Sequence, residues 1–130
     1  MRVLIDTNVL VRHVTGDPRS QARRATAFLR AGHQILLTDL VLAEVVYVLD
    51  SVYGFARPRV AEAGRSLLAH PGIAVIDEAM LLRAMELYES ARLDFAEAYL
   101  AAAAERFGLG KVASFDRALD RVVSIERIEP

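Results

Sequence analysis

The chain has 130 residues, a formal net charge of −1 and no cysteine. A chain of this length is expected to form a single domain with a substantial core, because it buries about two-thirds of its unfolded surface. The absence of cysteine excludes disulfides and thiolate metal sites. No apolar stretch approaches the ~20 residues of a membrane span and no signal peptide is recognised, so a cytoplasmic protein is expected.

Short apolar segments alternate with longer segments that carry helix caps and Gly or Pro breaks. The predicted strands cover residues 2–5, 34–37, 73–76, 112–114 and 122–125. The predicted helices cover residues 7–13, 18–31, 39–53, 57–69, 78–91 and 94–107, with a short helical turn at 116–120. This alternation predicts an α/β fold, in which a mostly parallel central sheet of four to five strands is flanked by helices.

The third predicted helix, residues 39–53, is apolar around nearly its whole circumference. A helix of this kind is buried in a core or in a subunit interface, so the segment is one reason to expect a homodimer. Glu44 lies in the middle of it, and a buried carboxylate needs an ion pair, hydrogen bonds or a metal ion. Glu44 is therefore a candidate site residue, and an ion pair with an arginine is the alternative.

Two aspartates directly follow predicted strands. Asp6 comes after the first strand, and Asp116 comes just after the fourth. Ligands of open α/β sheets bind beyond the carboxyl ends of the strands, so both residues are candidates for a functional site. The alternative role of each aspartate is to cap the helical turn that follows it.

Two further acids, Asp94 and Glu97, share one face at the start of the sixth predicted helix because they are spaced i, i+3. Asp94 is equally suited to cap that helix. Glu97 is followed by an alanine-rich segment, which predicts close packing and an inward-facing carboxylate.

These acids are expected to converge on a hard divalent cation. Two carboxylates ~4 Å apart repel each other by about 4 kcal/mol, and a cation relieves that repulsion. Oxygen ligands suit Mg²⁺, with Mn²⁺ as a substitute, whereas the histidines are distant from these acids in sequence and do not favour zinc. The candidate acids are Asp6, Glu44, Asp94, Glu97 and Asp116.

Fifteen of the 16 basic residues are arginine, and several of these lie in the first quarter of the chain. Arginine suits bidentate contacts with phosphate, although an arginine-rich helix face exposed to solvent explains the cluster equally well. If the protein binds RNA despite its net negative charge, a local basic surface is needed. The candidate RNA-binding residues are Arg12, Arg19, Arg23 and Arg24.

The motifs resemble the PIN-domain family, and more narrowly the VapC toxins of toxin–antitoxin pairs. They occur in the family's order and spacing, and the resemblance covers essentially the whole chain, residues 1–130, as one PIN-like nuclease domain. The motifs are Asp6-Thr7-Asn8, Leu42 to Val45, Asp94 to Ala98 and Ser114-Phe115-Asp116.

The resemblance implies a Mg²⁺-dependent endoribonuclease that hydrolyses RNA phosphodiester bonds with a metal-activated water. It also implies homodimerisation and neutralisation by a cognate VapB-like antitoxin. All five acids are then catalytic, and Glu44 is expected to hold a water or a second ion rather than the principal metal. The expected metal ligands are Asp6, Asp94, Glu97 and Asp116.

Three polar residues, Asn8, Thr38 and Ser114, are expected to orient carboxylates or waters around the metal. One departure from the family pattern concerns Glu97, because the family usually has Asp at this position. Glutamate keeps the charge but places it one methylene further from the backbone, so Asp94 is an alternative main ligand.

Two other functions are compatible with the sequence. A PIN-like module that has lost catalysis and acts by binding would also explain the Glu97 departure. A phosphoaspartyl or receiver-type protein would place an aspartate after its first parallel strand, as Asp6 is placed here. A receiver also needs a lysine after a late strand, however, and the only lysine, Lys111, precedes its strand.

Overall fold

Five short strands and six α-helices alternate along the chain in the computed structural model, which describes residues 1–130. The strands are β1 (Arg2–Leu4), β2 (Gln34–Leu36), β3 (Ile73–Ala74), β4 (Lys111–Ala113) and β5 (Glu126–Ile128). The helices are α1 (Thr7–Thr15), α2 (Arg19–Arg30), α3 (Asp39–Tyr47), α4 (Arg57–Ala69), α5 (Glu78–Ser90) and α6 (Phe95–Arg106). A π-helical segment, Val48–Val52, continues α3, and a 3₁₀ helix spans Arg117–Arg121.

Every pair of neighbouring strands is parallel, which confirms the predicted α/β class. The strands are divided between a three-stranded sheet, ordered β1-β2-β3, and a two-stranded sheet of β4 and β5. The chain correspondingly forms two compact units, residues 1–76 and 77–130. No helix is both long enough and apolar enough to span a membrane.

In residues 1–76, helices connect each strand to the next because parallel neighbours require a crossover. Helix α1 packs against α2 and α3, and α4 packs against α3 and β3. Leu10 of α1, Leu42 of α3 and Val60 of α4 are completely buried. These side chains hold the helices on the sheet and thereby fix the carboxyl end of β1, where Asp6 lies.

Helix α3 differs in part from its prediction. Thr38 caps it, since the Thr38 hydroxyl accepts a hydrogen bond from the Val41 amide at 3.2 Å. Leu42 and Val45 are buried as expected, but Leu40 and Tyr47 are largely exposed to solvent. Although α3 is apolar around nearly its whole circumference, it is not completely buried. Its role in a homodimer interface stays a prediction.

In residues 77–130, α5 and α6 pack closely against each other. Apart from Phe95, the buried residues of α6 are alanines, among them Ala98, Ala101 and Ala102. Small side chains allow the helix backbones to approach, as the alanine-rich segment predicted. Strand β4 follows α6, and its carboxyl end leads to Ser114 and Asp116.

The last strand lies four residues later than predicted, at Glu126–Ile128 instead of 122–125. Val122 ends the 3₁₀ helix and is buried, whereas Val123 is 99% exposed. The apolar run was therefore read as a strand although it forms a turn. The true strand contains Arg127, whose guanidinium donates to the Ser114 carbonyl at 2.9 Å and pairs with Asp120.

Candidate active site

Asp6 follows β1 after one intervening residue, Ile5, and caps α1. Its carboxylate accepts a hydrogen bond from the Thr7 amide at 2.8 Å, which is the capping role considered from the sequence. The Asp6 side chain is exposed and lines a cavity between α1 and α2. The position after the strand thus provides both a capped helix and a carboxylate open to a ligand.

Glu44 is held by a contact that the sequence did not reveal. The hydroxyl of Thr7 donates to Glu44 Oε2 at 2.8 Å and joins the start of α1 to the middle of α3. Thr7 is the only buried polar residue, at 6% exposure, whereas Glu44 itself is exposed. The expectation that Glu44 is buried was therefore wrong: its helix turns that face toward solvent.

The contact made by Thr7 is not evident from its local sequence. Asp6 is the N-cap of α1 and Thr7 is the first residue of the helix, as expected. A threonine next to an N-cap aspartate gives no local signal that its hydroxyl will reach a residue 37 positions away. Only the packing of α1 against α3 brings the two side chains together.

The other three candidate acids lie in residues 77–130. Asp94 caps α6 by accepting from the Glu97 amide at 3.0 Å, and Asp116 caps the 3₁₀ helix by accepting from the Ala118 amide at 2.9 Å. Each aspartate uses Oδ1 for its cap, so its second oxygen is not needed there. The capping alternative therefore applies to both residues without excluding a second role.

Glu97 differs from these aspartates because no backbone amide satisfies its carboxylate. The Oε2 atom is buried and has no hydrogen-bond partner, which matches the predicted inward orientation. Burial is the largest cause that raises the pKa of Glu97 to about 8, and the neighbouring carboxyl groups of Asp94 and Asp116 contribute in the same direction. A buried oxygen without a partner carries a free-energy cost unless a proton or a cation satisfies it.

The pKa of Asp116 is shifted in the opposite direction. The hydrogen bond from the Ala118 amide lowers it first, and the hydrogen bond with the Glu97 carboxyl group adds to the effect. Two neighbouring carboxyl groups thus favour one shared proton, with the negative charge on Asp116. Groups in this state form an acidic pair whose proton a cation can displace.

The donor chemistry fits a divalent cation, but neither unit contains a ready-made site. No group of three or more His, Cys, Asp or Glu side chains is arranged to hold a metal ion in either unit. The donors that are available are carboxylate oxygens, and the partnerless Glu97 Oε2 lies among two further acids. Oxygen donors of this type are the ligands that Mg²⁺ prefers.

The three predicted supporting residues have different surroundings. Ser114 accepts from the Asp116 amide through its hydroxyl at 2.9 Å, which holds the turn that carries this acid. Thr38 is used as the cap of α3. Asn8 is exposed and lines the same cavity as Asp6.

The four predicted RNA-binding arginines lie on α1 and α2, and they divide between two cavities. Arg12 and Arg24 line the cavity beside Asp6, whereas Arg19 and Arg23 line a cavity of about 530 Å³ together with Arg30. None of them forms an ion pair with a carboxylate. Residues 1–76 hold nine basic and six acidic residues, against seven and 11 in residues 77–130, so the first unit carries the positive charge.

Comparison with known proteins and protein families gives the following result. No curated protein matches the chain. The PIN domain family matches residues 3–124, which is nearly the whole length and includes all five candidate acids. The chain therefore belongs to the PIN domain family.

Proposed function

We propose that this protein is a metal-dependent endoribonuclease of the VapC type. PIN domains are generally nucleases that act on RNA or other nucleic acids and usually use divalent metals. The observation that carries the finer proposal is the buried, partnerless Oε2 of Glu97 beside Asp94 and Asp116. Arg121 and Arg127 act on Asp116, but the Glu97 Oε2 atom has no partner, and this supports a cation as the missing one.

In this proposal Glu97, Asp94 and Asp116 supply oxygen ligands for Mg²⁺ or Mn²⁺. Asp6 and Glu44 lie in residues 1–76. For them we keep the roles that the resemblance implies, a metal ligand for Asp6 and a residue that orients a water for Glu44. When bound, the metal supplies Lewis-acid activation of water and neutralises charge on the phosphate. Hydrolysis of this kind leaves a 5′-phosphate and a 3′-hydroxyl.

The protein's own residues fix where these acids stand. The Thr7 hydroxyl orients Glu44. The Ser114 hydroxyl and the Arg127 guanidinium hold the backbone that leads from β4 to Asp116, through bonds at 2.9 Å to the Asp116 amide and the Ser114 carbonyl. The helix caps of Asp6, Asp94 and Asp116 hold one carboxylate oxygen each. The cap leaves the second oxygen of each aspartate available for another contact.

Several finer features of this proposal come from the resemblance to VapC toxins. They are homodimerisation, neutralisation by a VapB-like antitoxin and a cytoplasmic location. The exposed apolar residues of α3, Leu40 and Tyr47, are the part of the chain we propose for the dimer contact. Light scattering of the purified protein gives a dimer mass if this is correct, and Leu40→Glu converts it to a monomer.

RNA cleavage tests the proposed activity. We expect the wild type to cut RNA with Mg²⁺ or Mn²⁺ and to be inactive in EDTA. Asp6→Asn and Glu97→Gln should each lower the rate by about 100-fold or more, since each removes a charged ligand. Glu126→Gln is the matched control, because Glu126 is an exposed glutamate of β5 without an ion pair.

Two results contradict this proposal. Cleavage that continues in EDTA excludes the metal-dependent mechanism. RNA binding without turnover in Mg²⁺ favours the second candidate, a PIN-like binding module. The second candidate is suggested by Glu97, which stands where the family usually has Asp. Glu97→Asp restores the usual residue, and it raises the cleavage rate only if the longer side chain had impaired catalysis.

A further inference from the structure

A cavity of about 980 Å³ opens beside Asp6, within residues 4–33. It lies between α1 and α2 at the carboxyl end of β1, where ligands of parallel sheets bind. Its volume is at the upper end of the range for small-molecule and cofactor sites, so a nucleotide fits inside it. Nothing in the proposed chemistry of the acids requires a space of this size.

The walls of the cavity are suited to a flat aromatic group. Ile5, Val9 and Ala25 provide apolar surface. Phe28 and His33 also line it, and their rings stack with centroids 4.4 Å apart and planes inclined by 30°. A further aromatic ring placed on this pair extends the stack, which is how many proteins hold unpaired nucleobases.

The rim of the cavity is positively charged. Arg24 is exposed on α2 and makes no ion pair, and Arg12 on α1 donates only to the side chain of Gln21. Helix α2 contains four arginines and no acidic residue. Guanidinium groups without ion pairs beside an apolar slot complement a ligand that has both an aromatic ring and a phosphate.

We propose that this cavity is a nucleobase pocket, which receives one unpaired nucleotide of the RNA next to the cleaved bond. The base extends the Phe28–His33 stack, and Arg12 and Arg24 bind the flanking phosphates. The pocket reaches Asp6, so it positions the RNA backbone at that acid. This inference rests on the proposed ribonuclease function and assigns the binding of one unpaired base to named residues, because a base stacked in a duplex cannot enter the slot.

Binding of a fluorescent RNA in EDTA tests the pocket separately from cleavage. The probes are a short single-stranded RNA with one 2-aminopurine and the same strand annealed to its complement. We expect the wild type to bind the single strand at least about tenfold more tightly than the duplex. The 2-aminopurine emission should fall on binding, because the base stacks on aromatic side chains.

Two variants and one control assign the effect to the pocket. Phe28→Leu keeps an apolar side chain of similar size but removes the ring, and should weaken single-strand binding about tenfold and abolish the emission change. Arg24→Gln should weaken binding at low salt and reduce its salt dependence by about one phosphate contact. Arg2→Gln is the control, since Arg2 is exposed at the opposite end of β1, and it should bind as the wild type does.

The results distinguish this inference from the proposed function. If Phe28→Leu and Arg24→Gln bind and cleave RNA as the wild type does, the nucleobase pocket is refuted while the ribonuclease proposal stands. Equal affinity for single strand and duplex also refutes it. A wild type that binds with the expected preferences but never cleaves in Mg²⁺ leaves the pocket supported and overturns the proposed activity. A last outcome is that Phe28→Leu and Arg24→Gln leave RNA binding unchanged, while an acidic peptide displaces the dye 1-anilinonaphthalene-8-sulfonate from the cavity. That outcome assigns the cavity to a protein partner and refutes the inference.

Discussion

Replacement of Glu97 by glutamine should stabilise the metal-free protein, and the gain should grow with pH. Burial beside Asp94 and Asp116 raises the pKa of Glu97 to about 8, from an ordinary value of 4.5. At pH values below 4.5 the carboxyl group is protonated in both the folded and the unfolded protein, so it costs nothing. Between about pH 4.5 and 8 only the unfolded state ionises, which lowers the free energy of unfolding, and above 8 the loss is complete.

The magnitude follows from the size of this shift. A change from 4.5 to about 8 corresponds to an upper limit of about 5 kcal/mol for a carboxyl group fully shielded from water. Glu97 is only half-buried as a residue although its Oε2 atom is buried, and solvent screens part of the effect. We therefore expect Glu97→Gln to be about 2 kcal/mol more stable than the wild type above pH 8 and equally stable near pH 4.

Urea unfolding followed by circular dichroism, in EDTA, measures this difference across the pH range. The matched control is Glu126→Gln, because Glu126 is exposed and its replacement should change stability by less than about 0.5 kcal/mol at every pH. A stability gap between Glu97→Gln and wild type that stays constant with pH would falsify the reasoning, since it would mean that Glu97 titrates normally. Added Mg²⁺ should then raise the melting temperature of the wild type and not that of Glu97→Gln.

Three further substitutions probe the contacts that hold the candidate site. Thr7→Val keeps the shape of a buried side chain but removes the donor to Glu44. We expect a loss of about 1 kcal/mol in the free energy of unfolding measured in urea, and a lower kcat with an unchanged KM. An unchanged kcat would show that Glu44 needs no orientation by Thr7. Leu42→Ala empties a completely buried position of α3 and should cost about 2–5 kcal/mol, whereas the exposed Leu40→Ala should cost little; similar losses in both would contradict the packing described for this helix. Arg83→Gln breaks the two-pronged pair with Glu105, formed at 2.8 and 2.9 Å, and should cost about 1 kcal/mol at neutral pH. That cost should disappear as the pH falls through the lowered pKa of Glu105, and a cost that persists in acid would show that the charge pair is not its source.

The alternation of elements could be predicted because it depends on local rules. Short apolar strands, helix caps and glycine breaks are each encoded within a few neighbouring residues, and the parallel pairing follows from the helices between the strands. The same rules place a carboxylate after β1 and another after β4. In the structure both aspartates lie just beyond the carboxyl ends of parallel strands, Asp6 after Ile5 and Asp116 after Ser114 and Phe115.

The last strand shows where such rules fail. The segment 122–125 is more apolar than Glu126–Ile128, so hydrophobicity favoured the wrong residues. The strand forms later because the 3₁₀ helix continues to Arg121 and Val122 ends it. Its Arg127 contacts both Ser114 and Asp120, and local hydrophobicity does not reveal contacts of this kind.

The acids of the candidate site divide by the same criterion. A cap is a local feature, so the capping alternatives for Asp6, Asp94 and Asp116 could be weighed from sequence, and all three occur. The surroundings of Glu44 and Glu97 depend on tertiary packing. Glu44 is exposed on a helix whose apolar sequence predicts burial, and Glu97 has a buried oxygen that no amide reaches. Both glutamates therefore depend on partners supplied from elsewhere, and a protein that keeps Glu97 unsatisfied in its resting state retains a position that a cation can stabilise. Glutamine at this position removes the charge and keeps the shape of the side chain. The comparison of Glu97→Gln with the wild type in stability and in cleavage is therefore the most direct test of whether this chain is an enzyme.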